Sequence, residues 1–473
     1  MKKIIFTVLG GLLLFSCTNG FDDVVDFTEV ENPNLSEGSV VGVPNSSTIW
    51  LAGLERQTAI ALNEILVLAE LGSDNYVNTQ TFFSQFLDDL VIVPTDPDMR
   101  DTQRQIQRLR ELALFGLSTV GPGDPNYTAD IEAEYNFYAG LSYLYSAMYF
   151  SALPAEPTGV PISSADHYQN AIASFDAALA ISAKPEYHLG KARAYYYLGN
   201  QAQAVSSAQS ALALGSDFDR VINFDESNGP SNIFENALYE RATFDDLQPL
   251  PTLDFLDPKY SFLTPERDAP VHILKAEEAY LILAEANLAD GNAGAAQTNM
   301  TGLLDVIATR EVRTIDDSIE QRSEFEPATR PDSDDIVVNG RSGLVLDRQN
   351  GNVDVPSVSG TSLTAADVPS ITADDAGLTL LYRTRQEVFI AEGIRFVDMG
   401  VKLIIDENEV LLNENISEGD AGTEPVIPSF IQAVIPDLDA INYVPGSGVA
   451  TTTIDLNEIL VANKTAPEVL PFH

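Results

Sequence analysis

A mainly α-helical scaffold of paired helices, with a loop-rich second layer on one side, is the fold class predicted by three observations. Apolar residues recur at three- and four-residue steps over long stretches. Small residues return after thirty-three positions, as stacked helix pairs require. Long runs rich in Asp, Ser, Gly, Pro and Asn, at 217–270 and 310–377, separate the helical stretches.

The chain opens with Lys2 and Lys3, an apolar run from Ile4 to Phe15, then Ser16 and the only cysteine, Cys17. Residues 1–16 read as a secretory signal, too short for a stop-transfer helix. Leu14, Phe15, Ser16 and Cys17 look like a bacterial lipobox, which makes Cys17 the expected lipidation site and 17–48 a tether. Several acyl chains on one residue anchor a protein stably where a single chain is marginal.

From Ser47 to Leu71 the positions Leu51, Leu54, Thr58, Leu62, Ile65 and Ala69 form one helix face, which Gly72 ends. Trp50, the sole tryptophan, opens this helix and is expected in the core. A second amphipathic stretch spans Asp101 to Leu117 with Ile106, Leu109, Ala113 and Leu117 in line, and Gly121 to Pro125 breaks it. Ile131 to Leu153 follows as a long helix carrying Tyr135, Tyr138, Leu141, Tyr145 and Met148.

In Lys184 to Leu214 a helix bearing Ala192 and Tyr195 stops at Gly199, and a second bears Ala204, Ala208, Ala211 and Leu212. Those small side chains sit where two helices must approach closely, with tetratricopeptide spacing. Ala171, Phe175, Ala178 and Leu179 repeat the second-helix positions, paired with the helix bearing Gly140 and Tyr143. A third pair is expected from His272 to Ile307, with Ala284, Gly291 and Ala296, and a fourth helix from Leu378 to Ile404. Helical regions are thus placed at about 131–214, 272–307 and 378–404, within a single domain from 49 to 473. The insertions at 217–270 and 310–377 form the second layer, with a short strand pair near Ile336 to Leu346.

Hydrophobic residues make up 45% of the chain, enough for a sizeable core, while 26 Lys and Arg face 70 Asp and Glu, a net charge of −44. That balance excludes a nucleic-acid partner, because phosphate backbones are bound by neutralising them with Lys and Arg. With Cys17 as anchor, no thiol remains for disulfides, zinc or nucleophilic catalysis. The four histidines show no H-E-x-x-H spacing, and no G-x-S-x-G or G-x-x-x-x-G-K-[ST] motif occurs. Carboxylate pairs are too abundant to inform, so a surface-anchored glycan hydrolase stays open. So does a tetratricopeptide scaffold that binds another protein. No cofactor is required, although so acidic a surface allows Ca²⁺.

Three segments carry a resemblance. Asn136 to Pro161 reads NFYAGLSYLYSAMYFSALPAEPTGVP, Ile273 to Ala289 reads ILKAEEAYLILAEANLA, and Arg383 to Lys402 carries Arg385, Glu387, Glu392, Gly393, Arg395 and Asp398. With the lipobox, and in this order, they resemble SusD/RagB-like nutrient-uptake outer-membrane lipoproteins. The resemblance implies a non-catalytic protein that faces the cell exterior and lids a TonB-dependent, SusC-like barrel. It would capture an oligomeric nutrient, a glycan before a peptide. Arg395 and Asp398, three apart on one helix, would meet as a buried ion pair or cap. Candidate ligand contacts are Asp74, Asn75, Tyr76, Phe82 and Phe83, on the loop after the first helix; the alternative is a plug beneath that loop. Since the loop carries no Lys or Arg, a neutral or cationic oligomer is expected.

Overall fold

The computed structural model describes residues 41–78, 85–239, 247–259, 267–316, 337–339, 345–347, 352–444 and 450–473. The signal peptide, Cys17 and most of the tether lie outside the described residues, as do Phe82 and Phe83.

The first three long helices among the described residues are α1 (Ser46–Leu71), α2 (Pro97–Phe115) and α3 (Ala129–Tyr149). The Asp96 side chain accepts from the Asp98 amide ahead of Pro97, and Thr128 accepts from the Ile131 amide, so both α2 and α3 begin where a short polar side chain satisfies an orphan donor. Beyond Phe115 the chain does not break at once. It widens into a π-helical turn, Gly116–Val120, and Asp124 then accepts from the amides of Asn45 and Ser47, tying the start of α1 to the end of this segment. Trp50 is half-buried there, its Nε1 donating to the Leu112 carbonyl at 2.8 Å.

The repeat region is α4 (Ser164–Ile181), α5 (Pro185–Tyr197), α6 (Gln201–Leu214), α7 (Ala276–Ala289) and α8 (Ala293–Ile307). Helix α3 packs on α4, α5 on α6 and α7 on α8, while α4 touches α5 and α6 touches α7, so the stack is continuous. The small residues do what their spacing requires. A Cβ on Gly140 or Gly190 would come within 2.8 or 2.7 Å of the Phe175 ring, which therefore inserts between α3 and α5. Ala171, Ala178, Ala192, Ala204, Ala208 and Ala211 are fully buried along the same seam.

Two expected helices are corrected. His272 to Lys275 belongs to strand β6 (Val271–Lys275), antiparallel to β4 (Asp219–Ile222), and the helix begins only at Ala276. The segment from Leu378 to Ile404 is not one helix either. Helix α9 (Asp375–Val388) stops, Ala391 and Gly393 take positive φ of 62° and 73°, and a short helix α10 (Ile394–Asp398) restarts. The turn is held from outside, because the Gly393 amide donates to the buried Glu70 carboxylate at 2.6 Å.

The second layer is built of small antiparallel pairs. Strand β1 (Tyr76–Asn78) pairs with β5 (Leu247–Pro249), β2 (Ala152–Pro154) with β3 (Pro161–Ser163), and β7 (Val312–Asp316) with β10 (Asn352–Pro356). The pair expected near 336–346 is present as β8 (Val337–Asn339) against β9 (Val345–Asp347). Near the C-terminus β11 (Ile441–Tyr443) pairs with β12 (Ala450–Thr452), before α11 (Leu456–Ala462) packs on α9. No described helix is long and apolar enough to cross a membrane.

Candidate functional site

The loop after α1 turns inward. Asp74 is 6% exposed and Asn75 and Tyr76 are fully buried. Both Asp74 carboxylate oxygens accept from Arg395, at 2.5 and 2.9 Å, and one also accepts from Gln386 at 3.1 Å. Gln386 in turn donates to Asn75, and Asn457 on α11 donates to Gln386 while accepting from Arg395 Nη1 at 2.8 Å. Asn75 donates to Glu70 at 2.8 Å. The Tyr76 ring meets Phe234 edge-on, with centroids 5.6 Å apart. The polar groups of Asp74 and Asn75 thus serve a network joining α1, α9, α10 and α11, and the structure places all three expected ligand contacts in the interior.

Arg395 and Asp398 are buried as expected but do not pair with each other. Asp398 instead accepts from Arg385 at 2.7 and 3.0 Å. Burial opposes the Arg395 charge, and Asp74 outweighs that opposition and holds the guanidinium above its ordinary value. Burial pushes the Glu70 pKa up to about 7, a rise that the donors Asn75 and the Gly393 amide and the charge of Lys259 offset only in part.

A cleft among the described residues lies elsewhere. It has a volume of about 340 Å³ and is walled by α2, the turn between β2 and β3, and the short helix Glu407–Leu412. Its walls are stitched together: Asn413 donates to the Gly159 carbonyl at 2.9 Å, Asn415 to that of Thr158 at 2.7 Å, and the Asp406 amide to Gln103 at 2.9 Å. Arg104 and Gln107 stand on one wall with Glu156 and Glu409 opposite, and Leu412, 79% exposed, forms an apolar rim beside Pro157. Such a mixture of donors, acceptors and a small apolar edge suits a polyhydroxylated ligand.

At the base of the cleft is Arg110, only 1% exposed. Its Nη2 donates to the Pro154 carbonyl at 3.0 Å, while Nε and Nη1 have no partner among the described residues. The guanidinium carbon lies 5.5 Å from the centre of the Tyr143 ring. Burial lowers its pKa, and Tyr143, Glu111, Glu409 and Glu156 offset that only in part. Sequence reasoning missed this residue, although a signal existed. Gln103, Ile106, Arg110 and Ala113 occupy one row of α2, so a guanidinium falls in line with apolar positions. Among the described residues no cluster of three or more His, Cys, Asp or Glu is placed to hold a metal.

No family model matches the chain, and no curated protein does. Solved structures are similar in fold. A SusD superfamily protein from Bacteroides fragilis, 14% identical, superimposes with a TM-score of 0.55 over 80% of this chain and 100% of that one. A SusD-like carbohydrate binding protein from Bacteroides fragilis, 12% identical, does so with a TM-score of 0.51 over 76% of this chain and 86% of that one. The fold is therefore SusD-like, with its tetratricopeptide-like helix pairs.

Proposed function

From a SusD-like fold, we propose that this chain is a non-catalytic, cell-surface binding lipoprotein that captures an oligosaccharide and passes it to a TonB-dependent, SusC-like barrel. The observation that carries the reading is the superposition along the whole of a SusD superfamily structure. The carbohydrate binding described for the second structure supports a glycan before a peptide. Cys17 is the proposed lipid anchor, and the tether up to residue 48 would hold the domain at the outer face of the outer membrane.

Phe82 and Phe83 are the ligand contacts proposed on the loop after α1, since aromatic faces stack on sugar rings. Asp74, Asn75 and Tyr76 would act by fixing the base of that loop. The net charge of −44 favours a neutral oligomer, with Ca²⁺ needed only where a polyanionic chain must be bridged to surface carboxylates.

Titration of the purified mature domain with a panel of neutral oligosaccharides tests the reading. Saturable binding without turnover, together with co-purification of a large outer-membrane barrel from the native host, is the expected result. Hydrolysis of any member of the panel would replace this reading with that of a surface-anchored hydrolase. Recovery of the barrel with no glycan binding would favour a protein-binding scaffold.

A further inference from the structure

Three of the four buried guanidinium groups among the described residues are held alike. Arg193 is held by Glu278 at 2.6 and 2.7 Å, Arg385 by Asp398, and Arg395 by Asp74, each through two parallel hydrogen bonds. This is the geometry in which a planar guanidinium recovers the hydration it loses on burial. Arg110 is as buried as these, yet among the described residues it has one carbonyl and no carboxylate. Arg110 is one of the residues that line the cleft, and its Nε and Nη1 have no partner among the described residues.

We propose that the cleft between α2 and the β2–β3 turn binds one acidic sugar unit, whose exocyclic anionic group, carboxylate or sulfate, is received by Arg110. The proposal rests on the glycan-binding reading above and assigns it an additional subsite with its own chemistry.

The surroundings limit the ligand to one negative charge. Arg100 and Arg104 are drawn to Asp101, at 2.9 and 3.6 Å, and so contribute little net positive field. Glu111, Glu156, Glu409 and Asp406 also line the cleft and would repel a polyanion. Glu409 and Asp406 are already engaged, Glu409 accepting from Asn413 at 3.1 Å and Asp406 from the Asn408 amide at 2.9 Å. Glu156 and Glu111 are the acceptors left for ring hydroxyls. A single acidic unit in an otherwise neutral chain satisfies both halves: its anion meets the guanidinium, and its hydroxyls donate to the carboxylates. The volume of about 340 Å³ is at the lower end of the roughly 300–1,000 Å³ usual for small-ligand sites, so one or two rings fit rather than a long chain.

Glucose, glucuronate and glucose 6-sulfate differ only at the sixth carbon and separate the cases. Each would be titrated into the mature domain by ligand-observed NMR, alongside Arg110→Gln and Arg110→Lys variants whose folding is checked by thermal melting. A tenfold or greater preference for glucuronate or glucose 6-sulfate over glucose is expected, and the stronger of the two identifies the anion. Arg110→Gln should abolish the preference, and Arg110→Lys should retain part of it. Equal binding of the three sugars, no binding of either acidic sugar, or a preference that survives Arg110→Gln would each overturn the proposal. If Arg110→Gln misfolds, Arg110→Lys reports instead: its preference for the acidic sugar over glucose should fall without vanishing, and a preference unchanged from wild type would overturn the assignment. Because neutral oligosaccharides are tested separately, their continued binding would leave the general function intact while this subsite fails.

Discussion

Replacing Asp74 by alanine separates a structural role from a ligand-binding one. Arg395 would remain 2% exposed with its counter-charge removed, keeping only the Asn457 hydrogen bond. Leaving one partner of a buried pair uncompensated costs about 3–5 kcal/mol. Spread over a chain of 473 residues, with an unfolding entropy of roughly 2.1 cal/mol/K per residue, that loss lowers Tm by about 3–5 °C. The double variant Asp74→Ala/Arg395→Met removes both charges and should recover part of the loss, because methionine fills the stem volume without a charge to desolvate. Differential scanning calorimetry gives the melting shifts, and titration with the best neutral oligosaccharide gives affinity in parallel. An Asp74→Ala protein that melts within about 1 °C of wild type yet loses ligand affinity would refute the reasoning and return Asp74 to the binding surface.

Glu70, pushed up to about 7, holds its proton in the folded state where the unfolded chain, with a carboxyl near about 4.3, has already lost it. Its contribution is therefore full below pH ~4.3 and declines as pH rises to about 7; urea titrations of wild type and Glu70→Gln should show the variant gaining on wild type across that window, and a pH-independent difference would contradict this. Gly393→Ala should cost about 1–3 kcal/mol, because the φ of 73° is strained for alanine and its Cβ would fall 2.8 Å from the Tyr149 hydroxyl; denaturant unfolding that matches wild type would count against the turn. Cys17→Ser should give a folded domain released from the outer membrane, and retention in the membrane fraction at high salt would count against a lipid anchor at that position.

How far the sequence reaches is clearest along α9 and α10. Arg385, Glu387, Arg395 and Asp398 could be picked out as a motif, and burial was expected of Arg395 and Asp398. Their partners were not, since the spacing of Arg395 and Asp398 points to each other while the fold gives Arg395 to Asp74, 321 positions away, and Asp398 to Arg385. The same distance problem explains the loop after α1. Asp74, Asn75 and Tyr76 have the composition of a sugar-binding turn, and only the arrival of Gln386, Arg395 and Asn457 from the far end of the chain makes them internal. Helix continuity through 378–404 failed for a related reason: nothing local to Phe389–Gly393 announces that Glu70 will capture the Gly393 amide.

By itself the sequence determined the helical class and the paired stack from α3 to α8, because amphipathic period and small-residue spacing act between neighbours within a few turns or one repeat. The tertiary structure alone decided which charges neutralise one another and, among the described residues, that Arg110 is left without a carboxylate. With 70 acids on the chain, any arginine has many conceivable partners. Coulomb attraction and desolvation depend on distance and burial in three dimensions, so the lack of a carboxylate for Arg110 becomes visible only when α2, the β2–β3 turn and the 407–412 helix are brought together around it.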